Sequence, residues 1–319
     1  MSEENKKKIY LESLIYPLFV KQGLSFDEPV ESMPGVFRYS LAGLKDKLTQ
    51  LNNLGIKNLL LFGIPQEKTW QGETAWQANN FLNWAISFIK AYYPGFKIFS
   101  DVCLCAYTQH GHCGIIPQGQ SQLDREATLS ALTEIAVSQA KAGADFVCPS
   151  AMARHQVKAI RQGLDRAGFR EVKIMSYSVK FASNFYGPFR QIADSSPRFG
   201  DRKAYQLDYQ CKEVALARIE QEIQEGAEII MVKPGLAYLD IVYQAKEKFK
   251  APLAVYNVSG EYALVKLGAK QGFWSEQELV YELIASFKRA GADYIITYHA
   301  ADIAAWQIKY EQQESAIIQ

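Results

Sequence analysis

The chain has 319 residues, with 35 Lys+Arg against 34 Asp+Glu and a formal net charge of +1. That length holds one large α/β barrel or two ordinary domains, and the balanced charge, without a basic block or acidic tail, excludes nucleic acid or an anionic membrane as the main partner. No apolar run exceeds strand length and no apolar segment follows Lys6-Lys7-Lys8, so neither a signal peptide nor a membrane span is expected, and the protein reads as soluble and cytoplasmic.

In chain order the strand-like runs are Leu14–Val20, Lys57–Gly63, Phe96–Cys105, Asp145–Ser150, Lys173–Ser178, Glu228–Pro234, Leu253–Gly260 and Asp293–His299. Between them lie amphipathic stretches such as Glu73–Tyr93, Glu126–Ala142, Gln156–Gly168, Asp208–Glu225, Leu239–Phe249 and Ser275–Ala290. A weak repeat supports this alternation: Gly143-Ala144-Asp145, Gly226-Ala227-Glu228 and Gly291-Ala292-Asp293 each stand between a helix and a strand. Glycine there suits the left-handed conformation that ends a helix. Eight βα units favour a TIM (β/α)8 barrel, here spanning 14–319 behind a short N-terminal arm over 1–13. No Gly-x-Gly-x-x-Gly follows the first strand, which weakens a dinucleotide-binding alternative.

Active sites of this barrel sit at the C-terminal strand ends. There the chain places Cys103 and Cys105, Ser150, Lys180, Lys233, Ser259 and Tyr298. Lys233 closes the apolar run Ala227–Val232 and precedes Pro234-Gly235. Burial there would lower its pKa and make a neutral amine nucleophile; the alternative is a lysine whose head reaches water past the strand end. Lys180, if near it, would lower both amines further. Three of the five cysteines fall within Asp101–Gly114: Cys103 and Cys105, expected on one side of a strand, and Cys113 on the returning loop. Three thiolates suit zinc with a fourth position left open for substrate or water; the alternative is cysteines acting as small hydrophobes. Cys148 and Cys211 lack such neighbours and read as structural. Arg190 through Leu207 is an 18-residue loop-like stretch that reads as a lid, with Arg190, Arg202 and Lys203 available to clamp a carboxylate.

Together these stretches resemble the porphobilinogen synthase (δ-aminolevulinic acid dehydratase) family from about Leu14 to Trp306. The most specific pieces are Asp101–Gly114, Met175–Arg190, Phe199–Leu207, Met231–Asp240, Val258-Ser259-Gly260-Glu261 and Ala290–Tyr298. The resemblance implies condensation of two 5-aminolevulinate molecules to porphobilinogen with loss of two waters, in tetrapyrrole and haem synthesis. It implies that Lys233 holds the first substrate as a Schiff base and that Lys180 serves the second site, beside a zinc on Cys103, Cys105 and Cys113. Asp101 and Ser150 match residues near the second amino group. Arg190, Arg202 and Gln206 match the binders of one carboxylate, Ser259 and Tyr298 those of the other, and Tyr186 and Phe189 line the pocket.

The chain also departs from the family pattern. Where the family reads Ser-Asp-Met-Met-Asp-Gly-Arg, this chain has Ser150-Ala151-Met152-Ala153-Arg154-His155-Gln156, losing both aspartates; Arg154 would add positive charge near Lys180. The family's Asn-Asp ahead of Thr-Leu is here Arg125-Glu126. Fifteen residues before Lys233, where magnesium-stimulated members carry glutamate, stands Arg218, which weighs against an allosteric magnesium. Only 13 residues precede Leu14, so a homo-oligomer smaller than the family's octamer is expected. The alternatives are a Schiff-base lyase or aldolase acting on another keto compound, and a weakly active paralogue that binds zinc or aminolevulinate for regulation.

Overall fold

The structure, a computed structural model, describes residues 9–77 and 79–318. In chain order come β1 (Leu14–Lys21), β2 (Glu28–Pro29), β3 (Phe37–Tyr39), α1 (Leu41–Asn53), β4 (Asn58–Ile64) and α2 (Phe81–Tyr92). Then follow β5 (Lys97–Val102), α3 (Arg125–Ala142), β6 (Phe146–Pro149), α4 (Gln156–Arg166), β7 (Lys173–Lys180), α5 (Gly187–Ile192) and α6 (Lys212–Gln224). The chain ends through β8 (Ile229–Lys233), α7 (Leu239–Lys248), β9 (Leu253–Asn257), α8 (Ser259–Lys270), α9 (Glu276–Arg289), β10 (Tyr294–Thr297) and α10 (Ala300–Ile318). Among the described residues β1 and β4–β10 pair in parallel in that order, and β10 pairs back to β1, closing an eight-stranded barrel. The β2–β3 hairpin adds onto the end of β1. Of the arm expected over 1–13, residues 1–8 lie outside the described residues; Leu11–Ser13 form one 3-10 turn leading into β1.

Strand alternation divides the core into layers. Phe19, Phe62, Phe99, Cys148, Met175, Tyr177, Met231, Ala254, Tyr256 and Ile296 fill the barrel interior. The intervening residues, such as Leu18, Leu61, Ile230, Val232 and Val255, pack outward against apolar stripes of the helices. By this alternation Asp101 (after inward Phe99) and Lys233 (after inward Met231) project inward. Lys180 does not follow from alternation alone. In the β7–β8 ladder Ser176 pairs with Ile230 but Val179 pairs with Val232, so β7 carries one extra residue. This bulge resets the phase: Tyr177 is inward, Val179 joins the outer layer, and Lys180 is inward opposite Lys233.

The Gly-Ala-acid repeat closes the opposite, N-terminal end of the barrel. Gly143, Gly226 and Gly291 have φ of 106°, 104° and 106°, where only glycine sits without strain. The acid after each accepts the N–H of a residue at the start of the preceding strand: Asp145 from Ile98, Glu228 from Ile174 and Asp293 from Leu253, each at 2.7 Å. Asp145 and Asp293 also pair with Lys90 and Lys246 of the adjoining helices.

Several expected boundaries shift. The helix expected over Glu73–Tyr93 is a 3-10 turn at Glu73–Ala75 followed by α2, because Asn80 caps α2 by accepting the Asn83 N–H. The strand expected to reach Gly260 stops at Asn257, so Ser259 opens α8 instead of ending a strand. The first residues of the expected lid, Arg190 to Ile192, close the short helix α5.

Candidate active site

The strand ends bring Asp101, Lys180 and Lys233 into the barrel mouth, with Ser150 just past β6. Lys233 is 4% exposed. Its Nζ lies 3.8 Å from the Tyr256 ring centre, 5.0 Å from those of Tyr177 and Phe189, and 5.4 Å from that of Tyr186. Burial, reinforced by Lys180, holds the amine well below the ordinary lysine pKa. The aromatic faces, at about 0.5–2 kcal/mol each, offset part of the cost of burying an ammonium. The Tyr186 hydroxyl donates to the Lys233 carbonyl at 3.1 Å and fixes the strand end.

Lys180, 7% exposed, donates from Nζ to the Ser150 carbonyl at 2.7 Å and lies 5.6 Å from the Tyr177 ring. The two lysines therefore flank one aromatic ring. Burial pushes the Asp101 carboxyl up to about 6, against the opposing pull of Lys180 and a hydrogen bond from Ser150. Among the described residues Asp101 Oδ1 has no hydrogen-bond partner, which leaves an acceptor open.

The cysteines correct one expectation. Cys103 and Cys105 lie beyond the end of β5 at Val102, not along the strand. Two residues of strand span about 6.6–6.8 Å, yet the turn brings their Sγ atoms to 3.4 Å. The Sγ atoms of Cys103, Cys105 and Cys113 all lie within 4.8 Å of one another, and all three thiols are free and buried. Tetrahedral zinc with 2.3 Å bonds separates its sulfurs by about 3.8 Å, so this donor set fits zinc in number, softness and spacing. Hydrogen bonds from Cys103 and Cys105 hold the Cys113 thiol well below its ordinary pKa, and the buried Arg202 guanidinium adds to this. Glu276, His299 and Asp302 form a second convergent group. There the Lys266 ammonium stands 2.5 Å from Glu276 and 2.9 Å from Asp302, so the chain supplies the cation itself.

The expected carboxylate binders are brought to the mouth in different states. Arg190 Nε, Arg202 Nε and both amide atoms of Gln206 are buried without a partner among the described residues. Arg202 also donates to the Gly111 carbonyl at 2.8 Å and to the Ser195 carbonyl, tying the lid to the cysteine loop. Ser259 Oγ accepts the Phe189 N–H at 3.0 Å and donates to the Phe185 carbonyl at 3.2 Å, while the Tyr298 hydroxyl meets that of Tyr256 at 3.3 Å. Lys203 is exposed and has no place among the buried binders.

Around the altered segment the structure shows contacts that no local sequence pattern foretells. Arg218 donates to the carbonyls of Ala153 (2.9 Å) and Met152 (3.4 Å) and pairs with buried Glu222 at 2.8 Å. Ser176 donates in turn to Glu222. Met152 and His155 have positive φ of 66° and 65°, costly for non-glycine residues, and His155 is braced against Glu225 at 2.5 Å. Arg154 is exposed, where solvent and salt screen its charge. Tyr177 and Tyr256 were passed over in the sequence, although their inward phase beside Met175 and Ala254 was a usable signal.

Residues 2–306 match the family model for delta-aminolevulinic acid dehydratase. The enzyme of that name from Bacillus subtilis is 47% identical over 94% of this chain and 92% of its own length. That from Archaeoglobus fulgidus is 47% identical over 92% and 90%. The chain belongs to the delta-aminolevulinic acid dehydratase family. A crystal structure of the dehydratase (porphobilinogen synthase) from Toxoplasma gondii, in complex with the reaction product porphobilinogen, superposes with a TM-score of 0.92. It is 39% identical, over 94% of this chain and 86% of that one. An aldolase at TM-score 0.50 and 12% identity shares the barrel fold alone. Membership makes this dehydratase-family chain a lyase on a TIM barrel, and among its described residues no helix is long and apolar enough to cross a membrane.

Proposed function

We propose that this chain joins two 5-aminolevulinate molecules into porphobilinogen with release of two waters, through a Schiff base on Lys233. The single observation that carries this reading is the buried Lys233 amine in its four-ring cage, paired across the ladder with Lys180. The neutral Nζ attacks the ketone carbon of the first substrate; a C–N bond forms, the carbonyl oxygen leaves as water, and an imine remains. Asp101, with its carboxyl near 6, takes or returns a proton beside the second substrate's amino group. Lys180, held on the Ser150 carbonyl, places its N–H donors on the same side. The open donors of Arg190, Arg202 and Gln206 receive one substrate carboxylate, and Ser259 with Tyr298 the other. Tyr186 and Phe189 exclude water from the imine. A zinc held by Cys103, Cys105 and Cys113 would supply Lewis-acid polarisation of a second-substrate oxygen.

Incubation with aminolevulinate should yield pyrrole colour, and borohydride reduction during turnover should fix substrate mass on the peptide containing Lys233. Lys233→Ala should abolish both signals. Labelling confined to another lysine, or an active alanine variant, overturns the Schiff-base assignment.

A further inference from the structure

Three segments of the site, carrying Lys233, Ser259 and Tyr298, are joined by one buried hydrogen-bond network. Its centre is Glu261, the third residue of α8 and 1% exposed. One carboxylate oxygen accepts the N–H of Leu236 at 2.8 Å, in the turn after Lys233. The other accepts the N–H of Val258, just before Ser259, and the Nδ2 of Asn257, both at 3.0 Å. The Asn257 Oδ1 accepts from the Thr297 hydroxyl at 2.9 Å. Thr297 Oγ1 then accepts the N–H of His299 at 3.2 Å, so the contacts of Thr297 bracket Tyr298.

Every member of this chain of bonds has one consistent role. Ionised, as it is above pH about 7, the carboxylate only accepts, Asn257 donates at one end and accepts at the other, and Thr297 does both. Gly235, in the same turn as Leu236, leaves no room to relax: a Cβ there would lie 2.6 Å from Val255 and 2.8 Å from Phe287. The turn after Lys233 is thus pressed onto β9 on one side and tied to Glu261 on the other. Burial raises the Glu261 carboxyl to about 7, even with backbone donors opposing the rise. The fold therefore keeps a costly buried acid without a cationic partner among its hydrogen bonds.

We infer that Glu261 is a positioning residue for the reaction, setting the Schiff-base lysine and the Ser259–Tyr298 carboxylate binders in fixed relation through backbone amides and the Asn257–Thr297 link. It touches none of the reacting atoms. The inference deepens the proposed function and rests on it. A first-substrate molecule held by its carboxylate at one end and by Lys233 at the other must meet both at one spacing, and Glu261 holds that spacing. An amide at this position offers one acceptor oxygen to three donors and turns an NH2 toward N–H groups, so at least one link must break.

The test compares wild type, Glu261→Gln, Glu261→Asp and Thr297→Val for pyrrole formation from aminolevulinate at pH 8.5, where Glu261 is ionised, each assayed well below its own Tm. Misplacement of reacting groups should lower kcat of Glu261→Gln on the order of a hundredfold, with KM raised, and Glu261→Asp should recover part of both. Thr297→Val cuts only the branch to Tyr298 and should raise KM about tenfold while kcat stays near wild type. Wild-type kcat and KM in a folded Glu261→Gln, or an unchanged KM in Thr297→Val, overturns the inference. Should Glu261→Gln fail to fold, the KM of Thr297→Val decides. A wild type that forms no pyrrole sinks the proposed function itself, and this inference with it.

Discussion

Glu261 also shows how a single residue sets stability against chemistry. Its carboxyl is held at about 7 in the fold, above an ordinary 4.5, chiefly by burial. The folded chain therefore favours the neutral acid. The resulting stabilisation is complete below about 4.5 and is lost as pH climbs through about 7, a change of about 2–3 kcal/mol between pH 5 and 8.5. Glu261→Gln has no such group. Urea unfolding at those two pH values should show wild type losing that amount relative to the variant; parallel pH dependences would contradict the assignment. At this scale the sequence reading fared unevenly. Lys233 was legible because it ends an apolar run of inward and outward residues in regular alternation. Glu261 was visible only as part of a motif, since its partners Leu236, Asn257 and Val258 are joined by a fold that no local pattern describes.

Among the elements, the Gly-Ala-acid repeat was legible as punctuation and opaque as a device. The glycines adopt the expected left-handed conformation at helix ends. The acids, however, serve strands far away in sequence, as Asp145 does for Ile98, 47 residues before it. Removing such an acceptor leaves a strand-start N–H without its partner and frees Lys90. Asp145→Ala should cost about 1–3 kcal/mol in chemical denaturation while leaving KM for aminolevulinate unchanged, since the residue lies at the end of the barrel away from the site. Asp293→Ala should behave alike. A cost below about 0.5 kcal/mol in both, the range of ordinary surface substitutions, would count against the role. The Cys103–Cys105 pair shows the opposite error: a spacing of two suggested a strand face, and the thiols meet because the strand has already ended.

Taken as a whole molecule, the lid and the cysteine loop form one packed unit. Arg198 donates its N–H to the His110 carbonyl at 3.1 Å, the His112 Nε2 lies 3.0 Å from the Phe199 carbonyl, and Tyr205 OH accepts the Cys113 N–H at 3.4 Å. Gly111, at φ 72°, lies so close to Ser196 that a Cβ would sit 2.4 Å from its carbonyl oxygen. About one zinc per chain is expected at the three thiols, and Cys105→Ala should lose it. A zinc there would draw the loop together, so chelation should speed limited proteolysis within residues 193–207 about tenfold. Equal cleavage of the chelated and zinc-loaded protein would separate lid from metal. The barrel and most of its strand ends could be read from periodicity. The lid's docking could not, because it depends on contacts about ninety residues apart, such as Arg202 with Gly111.

The extra residue in β7 makes the second amine a matter of parity. With two residues between Tyr177 and Lys180, plain alternation would put the two side chains on opposite faces, and the bulge returns the lysine to the inward face. A strand shortened by one would run in regular register and keep the lysine inward, whereas a strand of the present length without the bulge would turn it out among the helices with every chemical group still encoded. A comparison of relatives that scores only which residues are present would pass such a chain as intact. The bulge between Tyr177 and Lys180 thus carries as much of the candidate active site as the lysine does.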